Sequence, residues 1–161
     1  MDKISKRSEK VAFFGLNGNS TQFARMRGFT EFAVSKNPIE YSRKYIDEKN
    51  ERNDVVGYAP SISYSFDKFS DDIVHREIVD ITDNEKVGAD AVRRVVIVDF
   101  SKESGENNAV CREWTITPDA EGNDTETYTY SGTLKANGEI IIGKATSEDD
   151  WQSCIFTKSD A

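Results

Sequence analysis

Residues 61–66 alternate strictly, with Ile62, Tyr64 and Phe66 interleaved with Ser61, Ser63 and Ser65. Period two sets one face of a strand on a core and the other toward water. The strand predicted here spans 55–66, and Pro60 suits an edge position or a bulge within it. Upstream, 39–46 reads as a partner strand with Tyr41, Arg43 and Tyr45 on one face. Residues 47–54 between them hold no apolar residue. The pattern predicts a long β-hairpin over about 39–66 with a charged tip. That tip reads either as a solvated loop or as a docking arm, because aromatic-rich strands around a charged loop can pair with a neighbour.

The period then changes. Val74, Ile78 and Ile81 fall at i, i+4 and i+7, and Ile73 widens the stripe, which predicts one flanking α-helix over about 71–82. Ser70 can cap it, and Asp71 and Asp72 suit the positive end of its dipole. His75 reads as a residue on the helix surface.

Elsewhere the signal is β. Val11–Gly15 is an apolar patch before the turn-rich 16–20. Phe29–Ser35 reads as a short strand ended by Asn37-Pro38. Arg93–Phe100 is a buried strand, Ala109–Pro118 another, and Asp119–Asp124 an acidic turn. Thr125–Ala136 is rich in Thr and Tyr, good sheet formers. Asn137-Gly138 is the strongest short hairpin signal, returning through Glu139–Ala145. Glu148–Asp150 is a charged turn before a last strand, Trp151–Lys158. Residues 1–10 are charged and aperiodic and read as a flexible arm. With no repeat or linker, 1–161 reads as a single domain, mainly β (α+β), with two packed antiparallel sheets in a sandwich or barrel.

Composition narrows the function. Aromatics at 11% are too many for a disordered chain, although charged residues reach 31%. No apolar run approaches the ~20 residues of a membrane helix, and Val95–Val98 suits a buried strand. The net charge of −8 disfavours a stable duplex-binding surface. The polar N-terminus has no apolar stretch of the secretory kind. Cys111 and Cys154 lie far apart and read as reduced, half-buried thiols. Without a secretion signal, Asn19-Ser20-Thr21 and Asn123-Asp124-Thr125 read as chance glycosylation triplets.

Candidate chemistry is sparse. His75 has no nucleophile or orienting acid in a recognisable signature. The 119–124 stretch has calcium-loop chemistry without the spacing of a calcium-binding loop. Residues 138–145 match a phosphate-loop pattern, but Ala145 stands where Ser or Thr must hold magnesium, and Ile140–Ile142 reads as strand. No catalytic, cofactor-binding or metal residue is assigned, and an enzyme is not expected.

The run Asn37–Glu48, followed by Asp54–Asp67, resembles the major tail protein (tail tube protein) family of bacteriophages. Residues 71–75, 87–91 and 130–138 are similar to it as well, so the likeness covers most of 29–146. Asp72-Ile73 departs from the proline expected in similar sequences. The resemblance implies hexameric rings whose sheets join into an inner β-barrel. It implies that rings stack through the hairpin and terminal arm into a conduit for genome delivery. It also implies tail terminator and tail-tip partners, a tape measure protein in the lumen, and DNA in transit without stable binding. The expected place is the virion tail, with assembly in the host cytoplasm. Part of the acidity is expected to line the bore. Candidate subunit contacts are Tyr41, Tyr45, Val55 and Tyr58. The hairpin run is most similar to tubes of long non-contractile tails. A tube of a contractile or phage-tail-like injection system, or a monomeric β-sandwich adhesin module, stays open as an alternative.

Overall fold

The computed structural model describes residues 3–16, 22–102 and 107–159. Its strands are β1 (Lys10–Gly15), β2 (Gln22–Arg25), β3 (Phe29–Ser35), β4 (Pro38–Arg43), β5 (Arg52–Tyr58), β6 (Ser61–Asp67), β7 (Val92–Asp99), β8 (Ala109–Glu121), β9 (Thr129–Ala136), β10 (Ile141–Thr146) and β11 (Ser153–Lys158). One α-helix, α1 (Ile73–Asp83), follows β6. No helix among the described residues is long and apolar enough to cross a membrane.

The chain is mainly β with one flanking helix, as expected, but in place of two packed sheets most strands join one large sheet that closes in part into a ring. Nine strands make one antiparallel sheet in the order β10-β11-β2-β1-β7-β8-β9-β6-β3, and β10 pairs with β8 as well. The pairings β8-β7-β1-β2-β11-β10 therefore run in a closed circuit of six strands. The other arm of the sheet, β9-β6-β3, leaves from the far half of β8. This is possible because β8 is long. Its residues 109–111 pair with β10, and 114–121 pair with β9 along the same edge.

Two cores result from alternation. In β1, Phe13 joins a cluster inside the six-strand circuit, and Phe14 joins the cluster under α1. In β7, Val96 and Val98 face the first and Val95 the second. Cys111 and Cys154 are fully buried in the circuit rather than half-buried, and both are free thiols. Burial pushes the Cys154 thiol up to about 12 and moves Cys111 in the same direction.

The hairpin expected over 39–66 is a longer, jointed ribbon. β3 pairs with β6 near the body, and β4 pairs with β5 beyond it. The joint lies at 36–37 and 59–60. There Asn37 takes a left-handed φ of 46°, and its Nδ2 donates to the Ala59 carbonyl at 3.1 Å. Pro60 sits at this break, and its carbonyl accepts the Ala136 amide.

Asn137-Gly138 does not make a hairpin. β9 already has β8 on one edge and β6 on the other, so β10 cannot fold back on it. The segment is a jog that moves the chain along β8, and Gly138 lacks the positive φ that a tight hairpin turn requires. The expected acidic turn at 119–124 is shortened, because β8 continues through a bulge between Pro118 and Ala120. β2 lacks a pattern signal and is an addition. The turn-rich 16–20 stretch and the Asn19 triplet lie largely outside the described residues.

The helix is capped by Asp72, whose carboxylate accepts the Val74 and His75 amides, rather than by Ser70. Ile73 is 54% exposed and does not widen the buried stripe. His75 does so instead, fully buried rather than on the surface. Its ring stacks on Phe66 with centroids 4.4 Å apart. Its Nδ1 accepts the Phe69 amide at 3.0 Å. That bond leaves the proton on Nε2, which donates to the Arg27 carbonyl at 2.5 Å. The backbone comes so close because residue 28 is glycine: a Cβ there would lie 3.0 Å from the imidazole.

His75 thus ties the β2–β3 turn to the helix. His75→Phe keeps the ring but removes both backbone bonds, and should cost about 1–3 kcal/mol of unfolding free energy in urea titration. An unchanged midpoint would mean that water replaces both bonds.

Candidate assembly surface

The four candidate contacts all lie on the β4–β5 ribbon and its turn, and all are exposed. They do not form one cluster. Cross-strand partners point to one face of a sheet. Tyr41 pairs with Asp54, and Arg43 with Arg52, on one face. Glu40 pairs with Val55, and Pro38 with Tyr58, on the other.

The first face is organised by Arg43. Its guanidinium lies 4.8 Å from the Tyr41 ring centre and 5.6 Å from that of Tyr45, and it pairs with Asp54 at 2.5 Å. Arg52 lies over the Tyr45 ring, 5.6 Å from its centre, and holds Glu48. On the second face, Asn53 bridges Glu40 and Ser42 beside Val55, and Tyr58 lies further along, opposite Pro38. Sequence reasoning missed Ile39, Ile46 and Val56. Ile46 stands at the corner of the ribbon turn, fully exposed, and Val56 is 63% exposed. An isolated two-stranded ribbon is marginal in water. This one carries seven large exposed apolar side chains between Ile39 and Tyr58, more than scattered surface residues explain.

A second surface is made of backbone. β8, β9, β6 and β3 form a four-stranded antiparallel sheet with two edges left open among the described residues. One is the outer edge of β3. The other is β8 beyond Thr115, where its pairing with β7 ends. The edges are level: Val34 pairs with Ile62, Ile62 with Leu134, and Leu134 with Ile116. Open edges invite a strand from another chain. The β3 edge is partly covered, since Arg7 Nη2 donates to the Phe32 carbonyl at 3.1 Å. A groove of about 460 Å³ runs beside it, with Ala12 and Ile97 as floor and Phe32 and Val34 as wall.

No group of acids, histidines or cysteines among the described residues could hold a metal ion.

The fold is similar to a chain in the tail of an empty gene transfer agent particle, determined with helical refinement and C6 symmetry. The TM-score is 0.63 at 14% identity, over 88% of this chain and 100% of that one. A chain of the native gene transfer agent virion is similar at TM-score 0.62 and 13% identity, over 88% and 100% of the two chains. At these identities the likeness is one of fold. No family model matches the chain, and no curated protein matches it in sequence.

Arg43→Ala should loosen the ribbon without touching the body. Hydrogen exchange at the amides of 52–58 should speed up several-fold, with those of β6 and β9 unchanged. Unaltered exchange in the ribbon would remove Arg43 as its organiser.

Proposed function

We propose that the chain is the structural subunit of a tail tube, in which copies close into hexameric rings that stack into a hollow conduit for genome delivery. The observation that carries this reading is the four-stranded sheet with two level open edges. β3 is antiparallel to β6, β6 to β9 and β9 to β8, so β3 runs opposite to β8. Rotation about a ring axis keeps strand directions along that axis. The β3 edge of one copy therefore meets the β8 edge of the next as an antiparallel pair, and the ring closes with no edge left over. The sixfold symmetry of the gene transfer agent tail supports six copies. Four strands from each of six copies give an inner barrel roughly 37 Å across between backbones, at a strand spacing of about 4.8 Å.

Ring closure exchanges the Arg7 side-chain bond on β3 for a strand ladder. The ribbon lies beyond the sheet and is left to join one ring to the next through its apolar residues. A tape measure protein would occupy the bore during assembly, and terminator and tip proteins would close its ends. Nothing in this scheme calls for catalysis or a cofactor.

Light scattering after size exclusion, with negative-stain microscopy at rising concentration, tests the reading. The expected result is hexamers and hollow tubes. A protein that stays monomeric throughout contradicts it and favours the monomeric binding module. Deleting residues 47–54 should leave folded rings that no longer stack, and tubes of normal length would exclude the ribbon as the joint.

A further inference from the structure

The face of the four-stranded sheet turned away from the core has an unusual composition. Register sets its side chains in rows across β3, β6, β9 and β8. The rows are Glu31, Ser65, Ser131 and Ala120; then Ala33, Ser63, Thr133 and Thr117; then Ser35, Ser61, Lys135 and Thr115. Eight of these twelve side chains are short hydroxyls, none is aromatic, and Glu31 and Lys135 are their only charges; beyond the first row the same face ends in Asp67 and Thr129. The rest of the chain is strongly acidic, with a net charge of −8.

The geometry points to this face as the wall of the bore, a nearly neutral hydroxyl surface over which a nucleic acid passes without being held or strongly repelled. The inference rests on the tube reading. If β3 and β8 close the ring, one sheet face must look inward. The core face carries α1 and the six-strand circuit, and six such bodies do not fit inside the barrel. The hydroxyl face is the one left to line it. This departs from the expected acidic bore, because each row carries at most one charge, Glu31 and Lys135 are opposite, and only Asp67 at the end of the face is left over. Ser and Thr hydroxyls donate to and accept from water, so the wall holds a hydration layer with few fixed charges. Their shortness also keeps the passage wide.

Ser63→Lys tests this. Ser63 is exposed and lies mid-row, so the subunit should fold and melt as before. It would place six cations in each ring. Assembled tubes are mixed with duplex DNA, treated with nuclease and sedimented. Unaltered tubes should retain no protected DNA at any salt, and neither should Ser63→Asp tubes. Ser63→Lys tubes should retain protected DNA at low salt and lose about a thousandfold or more in affinity between about 50 and 200 mM salt. Thr133→Lys, in the same row, serves where Ser63→Lys blocks assembly. Lysine tubes that retain nothing, or whose DNA is digested, place the face outside the bore and overturn the inference. Unaltered tubes that retain DNA overturn the neutral wall. If the unaltered protein forms no tubes at all, the tube reading itself fails.

Discussion

The structure depends on the division of one strand. β8 is 13 residues long, and its two halves serve two different layers. Its first half closes the six-strand circuit through β10, and its second half starts the arm that ends at β3. A shorter strand could not do both. Because β9 and β10 share one edge of β8, the chain passes from arm to circuit by a jog, without reversing. The same division frees the opposite edge of β8 beyond Thr115. The open edge therefore follows from how the subunit is closed.

The energetics have the same two-sided character. Adjacent residues in β1 and β7 feed two cores, so neither strand can slip by one residue without emptying both. Close approaches lock the arm in place. A Cβ at residue 132 would lie 2.6 Å from the Thr117 carbonyl and 2.7 Å from the Tyr64 hydroxyl. Gly132 thus lets Tyr64 lie flat across β9. The Tyr64 hydroxyl is buried with no hydrogen-bond partner among the described residues, and burial, with Asp119 nearby, holds it protonated far above the ordinary phenol range. An arm held this way keeps its two edges level, which the proposed ring closure requires.

Local pattern reported strands well and partners poorly. The alternation at 61–66 describes β6 because one face of it is buried within the subunit, whereas β3, which the run at 29–35 describes, is half-buried only at Phe29 and Phe32. Asn137-Gly138 misled because its turn chemistry is local, whereas the edges of β9 are already occupied by distant strands. β2 is only four residues long and carries too little periodicity to register. His75 looked like a surface residue because its two partners, the Arg27 carbonyl and the Phe69 amide, are backbone groups with no residue signature. Of the candidate surface, the exposure of Tyr41, Tyr45, Val55 and Tyr58 was legible from the charged tip between aromatic strands. Their separation onto two faces was not, because it depends on the bulge between Ile39 and Glu40 and the register it sets. The hydroxyl rows were visible only as serines alternating in one strand, until pairing aligned four strands.

The central claim is that β3 of one copy pairs with β8 of the next. Ala33 and Thr117 end the same row on the two open edges, and both are exposed in the subunit. The double variant Ala33→Cys, Thr117→Cys places a thiol on each edge, while the native thiols stay buried. Mild oxidation of the assembled protein, read on a denaturing non-reducing gel, should give a ladder ending at the hexamer, with each single variant remaining monomeric. A double variant that assembles but yields no ladder at any oxidant level would show that the rings close elsewhere.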